Sequence, residues 1–154
     1  MTPHAALYAL HLLAALIWVG GMFFAWMILR PAAVSTLEPP AQLRLWLEVF
    51  RRFFLWVWPA VLVLPFTGVG MLHLSYASME AAPRYVHMMI GLYVAMLALF
   101  LRVSALLLPQ LRAAVNAENW PEGGAVLGRI RRVIGFNLVI GLALVTIVAI
   151  RPTF

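Results

Sequence analysis

Apolar residues in this chain fall into four long blocks, about Ala5 to Leu29, Phe53 to Tyr76, Tyr85 to Leu108 and Val133 to Ile150, with the polar residues gathered between them. A helix needs about 20 mainly apolar residues to cross the hydrocarbon core, and each block meets that length or comes within the allowance that tilt gives. The alternating ten-residue segments of a transmembrane β-barrel are absent. The first block is expected to be a retained span and not a secretory signal. Nothing basic precedes Arg30, the apolar run is about twice a normal signal core, and no small-residue cleavage site follows a short core. The pattern predicts an all-α integral membrane four-helix bundle, with residues 1–154 forming one four-span domain.

The connections carry pattern of their own. Pro39-Pro40 stops one helix, and Leu43, Leu45, Leu47, Val49, Phe50 and Phe54 then mix with Arg44, Glu48, Arg51 and Arg52, which predicts a helix that starts at the headgroups and runs into the second span. Asn119 before Trp120-Pro121, with Gly123-Gly124 following, predicts a turn between an extension of the third span and a basic lead-in to the fourth. Pro59 and Pro65 predict a kinked second span whose released carbonyls need partners. Asn137 is expected to bond across helices, the glycines of the spans to permit close packing, and several tryptophans to occupy interfacial belts.

The basic residues orient the bundle. Arg30, Arg44, Arg51, Arg52, Arg112, Arg129, Arg131 and Arg132 lie in the two longer connections, against Arg84 in the short loop and Arg151 in the tail. Basic residues accumulate on the cytoplasmic side, so both termini are expected outside, facing the periplasm of a multi-pass protein in a bacterial inner membrane. Arg102, near the inner end of the third span, fits a snorkelling anchor.

With 65% of residues apolar and 10% charged, composition agrees with a membrane protein. The formal charge of +6 punctuates the apolar blocks instead of forming a stripe, which argues against nucleic acid as a partner. There is no Cys, so disulfides, thiolate metal sites, iron–sulfur clusters and cysteine nucleophiles are excluded.

All four histidines lie toward the outer ends of the spans. His4, His11 and Trp18 are spaced by seven and share one stripe of the first helix, with Tyr8, Ala15 and Met22 beside it, a stripe expected to face the bundle. His11 is deep enough that it needs a protein partner. The short outer loop is expected to make the second and third spans antiparallel neighbours, bringing His73 and His87 to similar depth. Facing imidazoles in a four-helix bundle hold haem iron or a metal ion, and Arg84 is placed to meet a haem propionate. Met71, Met79, Met88 and Met89 lie near the same layer, and thioether with imidazole suits Cu(I).

The stretch His11-Leu-Leu-Ala-Ala-Leu-Ile-Trp18-Val-Gly20-Gly21-Met-Phe, with Arg51-Arg52, Trp58-Pro59-Ala60, Thr67-Gly68, Val86-His87, Arg131-Arg132, Asn137 and Arg151-Pro152 in that order, resembles the CopD-like copper-resistance membrane proteins and the related HemJ-type protoporphyrinogen oxidases. The resemblance implies that His11 matches the intramembrane histidine of both groups and that His87 lies in the matching segment of the third span. The HemJ-type proteins imply haem b and electron transfer. Their Lys after the span-three His is Met89 here, and no Glu follows Asn137, a departure from the pattern of protoporphyrinogen oxidation. The CopD side implies copper handling.

The leading expectation is therefore a cytochrome b-like membrane protein binding haem b, with His11 and His87 as axial ligands, His73 as a substitute, Arg84 near the propionates and Trp18 in the cofactor site. Its redox partner would be a quinone or a periplasmic protein, and a single-ligand haem would make it a membrane oxidoreductase. The alternative is copper binding or transport through His4, His11, His73 and His87 with Met71 and Met88 or Met89, where a homo-oligomer would supply the route onward that the single chain lacks below the histidine layer.

Overall fold

The computed structural model describes residues 2–76 and 78–150; Arg151 and Pro152 lie outside them. The described residues form four helices, α1 (Pro3–Thr36), α2 (Pro39–Ser75), α3 (Arg84–Asn116) and α4 (Trp120–Ile150), each long and apolar enough to cross a membrane, with no strand among them.

Every helix outruns its apolar block, for local reasons. Glu38 is extended, and Pro39 and Pro40 open α2 where a missing N–H costs nothing, so the amphipathic lead-in and the second span are one continuous helix, as expected. The Glu48 carboxylate accepts from Arg51 Nε at 2.8 Å and from Arg52 Nε at 2.6 Å, tying charges one turn apart on that lead-in. At the other connection of the Arg-rich end (the inner end, for short) the reversal is made by residues 117–119. Glu118 takes the left-handed conformation at φ 52, and Asn119 Oδ1 accepts from the Glu122 amide at 3.3 Å. The expected turn between the two helices is thus present, ending at Asn119, and Gly123-Gly124 already belongs to α4. Gly123 is there for packing, because a Cβ at that position would come within 2.9 Å of Leu43 Cδ1.

Three segments, Leu16–Gly20, Ala25–Leu29 and Val103–Leu107, are π-helical turns within α1 and α3. Neither hydropathy nor motif marks them in the sequence. Each shifts the side chains that follow it around the helix axis relative to a regular α-helix.

The core has two clusters, one at the Arg-rich end and one at mid-bundle, bridged by the partly buried Phe54 and Ile134. Trp46, Phe50, Leu111, Val126 and Ile130 pack at the Arg-rich end, and Trp18, Val57, Ala60, Met96, Phe100 and Leu138 above them. Aromatic rings link the layers, with centroids 5.3 Å apart for Trp46 and Phe50, 5.2 Å for Phe54 and Phe100, and 5.0 Å for Trp58 and Phe100. Trp18 and Trp46 are each only 2% exposed and so are core residues, not belt residues, whereas Trp56 and Trp58 are exposed as a belt requires.

α1 packs along α2, and α3 along α4. The expected neighbour relation of α2 and α3 holds only at the inner end, where 108–116 meets α2; Arg84–Arg102 makes scarcely any close backbone approach to it. Long side chains fill that separation. α2 runs unbroken through Pro59 and Pro65, but Pro65 has no N–H for the Val61 carbonyl four residues back. Tyr93 Oη donates to that carbonyl across the gap at 2.8 Å. Asn137 makes its expected cross-helix bond, Nδ2 donating to the Met96 carbonyl at 3.3 Å.

Replacing Tyr93 by Phe keeps the ring and leaves the Val61 carbonyl orphaned. The expected loss is about 1 kcal/mol, read as a lower midpoint in a mixed-micelle denaturation titration. A midpoint equal to that of the wild type would mean that the hydroxyl does not hold the two helices together.

Candidate functional site

The separation between α2 and the outer half of α3 leaves a cavity of about 400 Å³. That is within the range of ligand pockets. Its walls come from all four helices and are almost wholly apolar, with Leu64, Val86, Ile90 and Leu144 among them. Exposed Val69, Val94 and Val145 form part of its rim.

His11 is the histidine that reaches it. The α1 stripe brings Trp18 and Met22 fully into the bundle and leaves His11 half-buried, while Tyr8 and His4, nearer the helix end, are exposed. His11 Nδ1 lies 2.8 Å from Thr67 Oγ1. The Thr67 hydroxyl has one proton and directs it to the Val63 carbonyl at 2.7 Å, within its own helix. That assignment makes Thr67 Oγ1 the acceptor and His11 Nδ1 the donor, the tautomer whose lone pair is on Nε2. Gly68 lies beside this edge, where an added Cβ would stand 3.7 Å from His11 Cε1. One α2 turn, Thr67-Gly68, thus lies along the Nδ1–Cε1 edge of the ring.

Met79, Met89 and Met96 line the same cavity, as do Trp18 and Tyr93. Toward the Arg-rich end Trp18 closes it edge-on against Tyr93 and Phe100, at centroid distances of 6.2 and 6.0 Å. The donors facing the cavity are one imidazole and three thioethers. All are neutral.

The remaining candidates lie elsewhere. His87 is exposed, its Nδ1 3.4 Å from the Pro83 carbonyl, and it does not line the cavity; neither do His73 and His4, which are also exposed. Arg84 is exposed at the start of α3. Met71 and Met88 are outside the lining, while Met89 is part of it. Among the described residues no three His, Asp or Glu side chains gather as a metal-binding group. Sequence reasoning missed Thr67 as the partner of His11, Tyr93 as the bridge, and Met96. The polar Thr67 in an apolar run, and Tyr93 opposite a span containing two prolines, were the available signals.

No curated protein and no solved structure matches the chain. The family model described as Copper resistance protein D matches residues 47–151. That stretch contains Thr67, Gly68, Met79, Met89, Tyr93 and Met96, with His11 preceding it. A match over well more than half of the chain, on a bundle of four membrane-length helices, makes this protein a member of the CopD family.

Proposed function

We propose that this CopD-family membrane protein binds cuprous copper in the cavity beside His11, receiving it on the side of the membrane that the chain termini face. The observation that carries the reading is the donor set: a neutral imidazole with Nε2 free, sharing a cavity with Met79, Met89 and Met96. Imidazole nitrogen and thioether sulfur are soft ligands that suit Cu(I). Neutral donors leave a monovalent ion with a net charge of only +1, and the cost of burying charge in a low dielectric rises with its square, so Cu(I) is favoured over divalent ions. The family description points to the same metal. The placement of arginine supports an orientation with both termini and the cavity on the periplasmic side.

Copper here is cargo. Trp18, Tyr93 and Phe100 close the cavity toward the inner end, so this conformation suits receipt and hand-over at one face, and passage requires these rings to move.

Haem b is the second reading, favoured by the size and apolar lining of the cavity, which exceed the needs of one ion. It would rest on His11 alone as axial ligand, since His87, His73 and Arg84 are outside the cavity. An open sixth position would then suit oxidation of a substrate better than electron transfer. Reduced-minus-oxidised visible spectra with metal analysis of the purified protein separate the two. Stoichiometric iron with a sharp α band would replace the copper reading.

For copper, His11→Ala should weaken Cu(I) binding by more than about 100-fold, and Met89→Leu by about 10-fold, in competition with a chromogenic Cu(I) chelator. His87→Ala should bind as the wild type does. Wild-type affinity in His11→Ala would place any copper site elsewhere.

Thr67→Val preserves shape and removes the acceptor that holds the His11 tautomer. A loss of Cu(I) affinity of about 10–100-fold is expected, beside a stability loss of about 1 kcal/mol from the unpaired Nδ1–H. An unchanged affinity would show that the imidazole needs no such support.

A further inference from the structure

At the Arg-rich end, where α1 leaves the bundle and α4 enters it, a second and much smaller recess lies among Trp26, Arg30, Trp46 and Arg131, closed by Phe50 and Ile134. Its open volume is about 10 Å³, room for roughly one oxygen atom. The Arg30 guanidinium carbon stands 4.6 Å from the Trp26 ring centroid, and that of Arg131 stands 5.3 Å from the Trp46 ring centroid. Each cation is thus stacked on an indole, which holds its fork in place.

The recess contains donors and no acceptor. Trp46 Nε1, Arg131 Nε and Arg131 Nη2 are all buried without a hydrogen-bond partner, on a tryptophan that is 2% exposed. Neither Arg30 nor Arg131 makes an ion pair among the described residues: Glu48 holds Arg51 and Arg52, Glu122 holds Arg129, Glu118 lies 3.9 Å from Arg44, and Glu38 forms no ion pair with either. Two guanidiniums sharing a recess repel one another, and buried N–H groups without acceptors are costly. A bound anion removes both penalties.

We propose that this recess binds one oxygen of a phosphate group, with Arg131 Nε and Nη2 as a bidentate fork, Trp46 Nε1 as the third donor and Arg30 as the second charge. Guanidinium forks match phosphate oxygens in this way. Basic pockets between helices at the Arg-rich face take anionic headgroups. The recess admits one oxygen, which leaves the rest of the phosphate at headgroup level, where a lipid phosphodiester or a free phosphate ion would present it. The inference is independent of the copper reading.

The test uses the full chain in neutral detergent, comparing thermal unfolding with added phosphatidylglycerol, phosphatidylcholine, and inorganic phosphate against chloride at equal ionic strength. Phosphatidylglycerol should raise the midpoint by roughly 5 °C more than phosphatidylcholine does at saturation. Arg131→Gln should lose that increment, while Arg129→Gln, whose partner is Glu122, should keep it. If Arg131→Gln fails to fold, native mass spectrometry of the wild type provides the check: one phosphatidylglycerol retained at activation energies that strip phosphatidylcholine. An equal increment from inorganic phosphate supports the site with the free ion as its ligand. Equal midpoints in both lipids without a phosphate effect, or an increment that survives in Arg131→Gln, would overturn the proposal.

Discussion

The hydrogen bond from Tyr93 Oη to the Val61 carbonyl is the contact on which the shape of the bundle turns. In hydrocarbon no water is available to a backbone carbonyl, so the one that Pro65 releases must be met by protein. A short side chain would pull the neighbouring helix close. Tyrosine reaches across from a distance, so α2 and the outer half of α3 are tied together without being packed together. The cavity is the space this arrangement leaves, and the Tyr93 ring, edge-on to Trp18, is part of its floor.

This division gives the molecule two unlike ends. The inner end has the long helical extensions, the large buried residues and most of the arginines, and its defect is an excess of donors. The outer end is loosely filled, and its defect is an unused lone pair on His11 in an apolar wall. Ligands of opposite character suit them: a soft cation on neutral donors at one, an oxyanion on guanidiniums at the other.

The spans were legible in the sequence because hydropathy reports length directly, and the lead-in from Pro39 because proline and the mixed pattern mark a helix start. Depth was legible too, since all four histidines do lie toward one end. Direction around the axis was not. On α3 the cavity is lined at 86, 89, 90 and 93, the spacing of one helical face, and His87 is about 100° away from Val86. His4 has nearly the azimuth of His11 but lies two turns nearer the helix end, where the structure leaves it exposed. The neighbourhood of His73 and His87 also assumed that spans joined by a short loop touch along their length. A loop fixes only where helices begin, and the bulk of the side chains between them decides how far apart they run.

Thr67 shows how a small residue decides the chemistry of a large one. In a span, a threonine hydroxyl bonds to a carbonyl of the preceding turn, which here is Val63. That bond commits its proton and leaves only acceptor capacity, so a histidine meeting it must donate, and must donate from the nitrogen that touches it. The tautomer of His11 is in this way assigned through Thr67, a residue that does not itself line the cavity. A histidine in lipid with no such partner would have either nitrogen protonated according to chance contacts. With Thr67 in place one tautomer is favoured at the wall of the cavity.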